Sequence, residues 1–424
     1  MENKYYEYKE TFTQLPRMLK GVLYEPVEKT DKYHIGLICL HSHGDYSHFI
    51  AGPEFAKRGY RIFCSSTKGE SETMENKCIT VGRCIDFMRN QPGVEKVLIV
   101  THSGGATLMS AYQSIAENGV QIFQGPRIIK PFEDIGPQPA ADGIVFLDAN
   151  WGNAILTLFG TNPAVAEEGW GTKLIDGFDP LAPENGYDPN DPLGANYSEE
   201  FIRKYLKAQS ARNDRVIDLA LERLDAINNG RGRFDDDEPF VVTGGTATSP
   251  KFYGFTLRKL FRSHEERDLL RADGSISHQI VPQMFKPSNR PLTPNKLSSA
   301  TVTTVKTFLS NYAVRATEDY YYTVDRLYGI DHETTSCATY SNVRHVHAPA
   351  LVMGMSGGLG VVCNEHIFEH FGSQDKTLMY VEGATHMFTP NKEFEAFPGQ
   401  FGDTVKLVFD YADNWIFASG RFAN

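Results

Sequence analysis

The chain has 424 residues, 41% of them apolar and 12% aromatic, which is ample for a buried core and too long for one small domain. Its 42 Lys and Arg stand against 53 Asp and Glu, a net charge of -11, and a surface so acidic repels phosphate backbones and excludes a general nucleic-acid binder. No apolar run approaches the roughly 18 residues of a membrane span. The start, Met-Glu-Asn-Lys-Tyr-Tyr, lacks the basic region and apolar run of a secretory signal. Six cysteines, at 39, 64, 78, 84, 337 and 363, form no CxxC pair. Reduced thiols in a cytoplasmic protein are expected, with neither a disulfide framework nor a zinc site.

Taken in chain order, residues 18–24 read as a strand, and Ile35 to Leu40 is an apolar run that ends in His41-Ser42-His43-Gly44. Such a run suits a strand buried on both faces. Helix is expected over 53–58, strand over 60–64, helix over 79–88 and strand over 97–100. Helix follows over 104–117, with Leu108, Tyr112 and Ile115 on one face. Gly143 to Leu147 is another apolar run and ends at Asp148. Strands alternating with helices at this spacing predict a parallel, doubly wound α/β sheet.

After residue 150 the rhythm breaks. Residues 162–196 are rich in Gly, Pro, Asn and Asp and read as loops. Helices are expected over 201–208, 216–227 and 297–311, with an acidic turn at 235–238. The sheet rhythm returns at 350–355, a helix closes at 368–371, a strand follows at 377–381, and 403–417 forms a final amphipathic helix. The reading is therefore a core in two segments, 1–150 and 348–424, interrupted by an insertion over 151–347.

Chemistry concentrates at the strand ends. In Val100-Thr-His-Ser103-Gly-Gly105, an apolar strand runs into a serine and two glycines open a helix. A serine on so sharp a turn is held strained, with its hydroxyl above the sheet. The next amide, that of Gly104, sits at a helix N-terminus, where it suits an oxyanion. This segment resembles the nucleophile elbow Gly-x-Ser-x-Gly of the α/β-hydrolase family, with Thr101 in place of the first glycine.

The resemblance implies an α/β-hydrolase fold over 18–155 and 348–420, with a large, mainly helical cap at 151–347. It makes Ser103 the nucleophile and His386, in Glu382-Gly-Ala-Thr-His386, the general base. The His-Gly step at 43–44 matches the start of the family's oxyanion loop. The second donor is then the amide near Gly44 and Asp45, or that of Ser42 if His41 marks the register.

The triad acid has two candidates. The loop after the strand at 350–355 holds no carboxylate before Glu365, whereas Asp148 directly follows an apolar strand, a placement similar to that of the acid in haloalkane dehalogenases. Asp148 is favoured, with Glu365 second. Trp151, His43 and Tyr322 are candidates to contact substrate.

Neither cofactor nor metal is expected. His41 and His43 have no further ligands at metal spacing, and Thr243-Gly-Gly-Thr246 lacks the Lys of a phosphate loop. The function implied is hydrolysis of an ester or lactone of a bulky, largely apolar small molecule. Amidase, carbon–carbon hydrolase and acyltransferase chemistry use the same triad, and a non-catalytic ligand-binding protein of this fold is the reading from another class. Oligomeric state is not encoded in any motif, so a homo-oligomer is allowed.

Overall fold

A computed structural model of the chain describes residues 4–16, 19–168, 173–245, 258, 260–284 and 300–423. Met18, Thr246, residues 169–172 of the loop reading and residues 297–299 of the helix expected at 297–311 lie outside the described residues.

Among the described residues ten strands form one sheet. In chain order they are β1 (Tyr8–Leu15), β2 (Leu19–Pro26), β3 (Ile35–Cys39), β4 (Arg61–Ser65), β5 (Lys96–Ser103), β6 (Gly143–Ala149), β8 (Arg262–Leu270), β9 (Ile276–Pro282), β13 (Ala350–Met355) and β14 (Lys376–Val381). The intervening numbers belong to strands of the insertion, β7 (Pro239–Thr243), β10 (Ala300–Thr304), β11 (Ala316–Tyr322) and β12 (Leu327–Ile330). The spatial order is β1-β2-β4-β3-β5-β6-β13-β14-β8-β9. Pairing is parallel from β4 to β8 and antiparallel where β1, β2 and β9 join.

The central strands are apolar because both faces are covered. All five residues of β3 and all six of β13 are buried, as a parallel sheet between helix layers requires. Helices α2 (Met74–Arg89), α3 (Gly105–Asn118) and α7 (Val361–His370) pack on one face through Val81, Ile85, Leu108, Tyr112, Val361 and Ile367. Helices α1 (Ala51–Lys57) and α8 (Thr404–Ile416) cover the other through Phe55, Val408 and Phe409. All six cysteines are buried and free.

The insertion differs from its sequence reading in three ways. Besides α4 (Asn153–Gly160), α5 (Glu199–Asn228) and α6 (Val305–Asn311), it carries six strands among the described residues. Two of these, β8 and β9, extend the core sheet, while β7 with β10 and β11 with β12 form separate ribbons. A small core of its own joins Ile217, Phe240, Val242, Val305 and Phe308.

The helices expected at 201–208 and 216–227 are one continuous helix. Three polar residues between them, Gln209, Arg212 and Asn213, are buried and hydrogen-bonded. Gln209 donates to the carbonyls of Phe159 and Thr161 at 3.0 and 2.9 Å, Arg212 pairs with Glu168 at 2.8 Å, and Asn213 donates to Val314 O at 2.8 Å. Buried polar groups with complete partners leave no apolar periodicity to read. The helix expected to begin at 297 starts at Val305, after β10, with the Thr304 hydroxyl capping the Thr307 amide.

Candidate active site

The site is assembled at the carboxyl ends of β5, β6 and β14. Ser103 closes β5 with φ of 53°, a left-handed conformation that costs a non-glycine residue about 1–3 kcal/mol and persists only where its surroundings enforce it. The turn needs a glycine at 105, where a Cβ would lie 2.7 Å from both Leu40 O and Thr101 Oγ1. Thr101 therefore fits in place of the usual first glycine because Gly105 leaves room for its hydroxyl.

Asp148 also has a left-handed backbone, with φ of 45°. The register between β5 and β6 slips here: His102 pairs with Leu147 and Ser103 with Ala149. Asp148 is the extra residue of a bulge, which re-aims its side chain toward β13 and His386. Asn364 on α7 pins the bulge, accepting from Ala149 N and donating to Ala149 O, both at 3.2 Å.

The Asp148 carboxylate is buried and fully engaged. Its Oδ1 accepts from Met355 N at 3.0 Å, and its Oδ2 accepts from His386 Nδ1 at 2.6 Å. The loop after β13 has no carboxylate, and its glycines make the space Asp148 fills. A Cβ at Gly358 would lie 2.7 Å from Asp148 Oδ2, and one at Gly360 would lie 2.6 Å from Oδ1.

His386 lies in the loop after β14, which turns at Gly383 with φ of 64°. Burial opposes charge on its imidazole, but the hydrogen bond and negative charge of Asp148 outweigh it and raise the pKa above the usual value. Glu365, the other acid candidate, is spent elsewhere. It accepts from the amides of His264 and Glu265 at 2.6 and 3.1 Å and from Arg267 Nε at 2.8 Å, tying β8 to α7.

The loop after β3 redistributes the expected oxyanion donors. The amides of His43 and Gly44 both donate to His41 Nδ1, at 3.0 and 2.8 Å. Gly44 N–H is thus already bound within its own turn. Asp45 Oδ1 caps Ser47 N at 2.9 Å, a bond that holds its carboxyl below the usual range. Ser42 is the candidate that stays beside the elbow: a Cβ on Gly104 would lie 3.1 Å from its Oγ. His41 Nε2 and Asn150 Nδ2 crowd the same point at 3.2 and 3.4 Å. With Nδ1 accepting two amides, His41 carries its proton on Nε2, and burial, then nearby His386 and Lys77, depress its pKa to about 4.

Ser103, Asp148 and His386 all line one cavity of about 500 Å³. Trp151 and Tyr322 line it too, with Leu156, Phe159 and Phe261. His43 does not: it sits between Ser42 Oγ at 2.7 Å and Asn153 Nδ2 at 3.0 Å, at the junction of core and insertion. Sequence reasoning gave no role to Asn364, Asn150 and His102, and used His41 only as a marker of the oxyanion-loop register. The only signal for His102 was its position next to the serine.

Among the described residues one group, His366, Glu369 and His370, has metal-like spacing. Several of its atoms have protein partners: Glu369 pairs with Arg267 and Arg326, His366 Nε2 accepts from Leu327 N at 3.2 Å, and His370 Nδ1 donates to His366 O at 2.8 Å, while the buried His366 Nδ1 has none among the described residues. No described helix is long and apolar enough to cross a membrane.

A mostly parallel sheet in this order, with a serine ending β5, an aspartate at the end of β6 and a histidine in the loop after β14, is the α/β-hydrolase fold. No family model matches the chain, and no curated protein matches it. Solved structures similar to it include the α/β hydrolase GrgF from Penicillium sp. sh18, at 8% identity over 97% of this chain and 98% of that one, with a TM-score of 0.43. Est1E from Butyrivibrio proteoclasticus aligns at 8% identity over 96% and 97%, with a TM-score of 0.41. The hypothetical protein PA2218 from Pseudomonas aeruginosa aligns at 11% identity over 96% and 93%, with a TM-score of 0.39.

Proposed function

We propose that the chain is a serine hydrolase that cleaves a carboxylic ester or lactone through an acyl-enzyme, with Ser103 as nucleophile, His386 as base and Asp148 as the orienting acid. One observation carries the reading. The His386 Nδ1–Asp148 Oδ2 bond of 2.6 Å fixes the imidazole beside a cavity that the strained Ser103 also lines.

With Nδ1–H donated to Asp148, Nε2 is left as the lone-pair nitrogen that takes the Ser103 proton. Attack on the carbonyl makes a tetrahedral oxyanion. The Gly104 amide at the head of α3 stabilises it, with the Ser42 amide as second donor. Collapse expels the alcohol, which receives the proton from His386 Nε2. Water, activated by the same nitrogen, then releases the acid and restores Ser103.

Aromatic and aliphatic walls from Trp151, Leu156, Phe159, Phe261 and Leu327 suit a bulky, largely apolar substrate. The test is covalent labelling by a fluorophosphonate together with turnover of bulky esters and lactones, comparing wild type with Ser103→Ala. Labelling and turnover should both vanish in the variant. Turnover that survives Ser103→Ala refutes the mechanism.

A further inference from the structure

We infer that His102, the residue before the nucleophile, is a positioning residue that holds the base loop in place through the backbone of His386. This rests on the serine-hydrolase reading above. His102 is buried on β5. Its Nε2 lies 2.8 Å from His386 O and its Nδ1 lies 2.7 Å from Tyr46 Oη.

A carbonyl oxygen only accepts, so His102 Nε2 carries the proton and donates it. A neutral imidazole then has Nδ1 free to accept, and the Tyr46 hydroxyl fills that position. The chain of donation runs Tyr46 O–H to His102 Nδ1, and His102 Nε2–H to the carbonyl of His386. Each bond fixes the direction of the other, and only one tautomer satisfies both.

The ring has little freedom to move. Phe49 stacks on it at 5.0 Å and 26°, and Phe388 meets it edge-on at 5.1 Å. The His102 ring also lies against the His386 ring, with centroids 4.4 Å apart. Burial, then the His386 charge, keeps the imidazole neutral, with its pKa far below the usual value; His41 adds to this and the bond to His386 O opposes it.

His386 is therefore fixed twice. Asp148 sets the tautomer and direction of the ring, while His102 anchors the main chain that carries it. Because His102 is covalently bonded to Ser103, the second link ties nucleophile and base together without passing through the acid. Displacing a catalytic group by about 1 Å costs up to about 100-fold in rate, and this link restrains that displacement.

Gln, Asn and Phe at position 102 separate positioning from packing. A Gln amide reaches the place of Nε2 and can donate to His386 O. An Asn amide reaches only the place of Nδ1 and keeps the Tyr46 bond alone. His102→Gln should hold kcat within about tenfold of wild type, whereas His102→Asn and His102→Phe should lose about 10- to 100-fold in kcat with KM little changed.

Equal losses for Gln and Asn, or a loss confined to KM, would overturn the inference. Nitrogen-15 NMR of the wild-type imidazoles needs no variant to fold: a proton on His102 Nε2 supports the assignment and one on Nδ1 defeats it. Ser103→Ala is run beside the series. Its retained turnover would refute the hydrolase reading itself, whereas an inactive Ser103→Ala with matching Gln and Asn variants would refute only the role of His102.

Discussion

Replacing Asp148 by Asn leaves the shape of the site nearly unchanged and reverses one hydrogen bond. In the wild-type chain Oδ1 accepts from Met355 N at 3.0 Å and faces Asn364 Nδ2 at 3.5 Å. Those donors hold the oxygen of an Asn side chain on their side, so its NH₂ is turned toward His386 Nδ1. Two donors cannot share that bond. The imidazole must move its proton to Nε2, where it faces Ser103 and can no longer take the serine proton. Inverting the tautomer of a triad histidine costs about 10⁴ in kcat, on the order of 5 kcal/mol of transition-state stabilisation. The assay is steady-state hydrolysis of an ester found active with the wild type, with Glu365→Gln as the comparison. Glu365→Gln should keep kcat within a few-fold while lowering Tm, because it loosens the attachment of β8 to α7. A kcat for Asp148→Asn within tenfold of wild type, with a large loss in Glu365→Gln, would refute the assignment of the acid.

In the proposed mechanism His386 acts as the neutral base, so kcat/KM should fall as pH drops through its pKa, at a midpoint above the ordinary histidine value. Asp148→Asn should shift whatever acid limb remains to lower pH; a shift upward contradicts the cause assigned to the raised pKa. Because that pKa is raised in the folded chain, the pair's contribution to stability is full below the unfolded histidine pKa. It fades as pH rises through the folded one, so His386→Gln should lower Tm more at pH 5.5 than at pH 8.5, at roughly one unit below and two above the ordinary value. Gly360→Ala would place a methyl 2.6 Å from Asp148 Oδ1 and 2.5 Å from Asn364 Nδ2; kcat should fall about 100-fold with fluorophosphonate labelling slowed, and unchanged labelling counts against the packing argument. Phe159→Ala should cost about 3–5 kcal/mol in denaturant unfolding and shift preference toward larger acyl or alcohol groups, whereas an unchanged substrate profile would remove Phe159 from the specificity wall.

The three strand-end residues were legible because each follows a continuous apolar strand, where side-chain chemistry stands out against the pattern. The strand at 350–355 was read with the bounds it has. The edges were not legible. β1, at one edge, and β8, one strand in from the other edge, are exposed over most of their length, and Arg262-Ser-His-Glu-Glu-Arg-Asp carries so many charges that no alternation survives. A strand at or beside an edge, with one face left open, buries one row or less and has no reason to show the signature of a central one. The glycines at 358 and 360 were visible, but their purpose depends on a carboxylate about 200 residues away in sequence, which no local pattern reveals. The amide of Gly44 was misread for a similar reason: its partner, His41 Nδ1, is close in sequence yet chosen by the fold of the turn.

The hairpin of β8 and β9 has a consequence for anyone who would exchange the insertion. β8 pairs with Tyr380 and Val381 of β14, and the carbonyl of Leu270 accepts from Glu382 N at 3.0 Å, four residues before His386. Cutting the chain at 150 and 347 would strip the sheet of its last two strands. The apolar flank of β14, directly under the base, would then be open to water and to other chains. A graft that aims to alter specificity while keeping catalysis must leave residues 262–282 with the core. Residues 262–282 belong to the sheet that carries Ser103, Asp148 and His386, although they lie within 151–347.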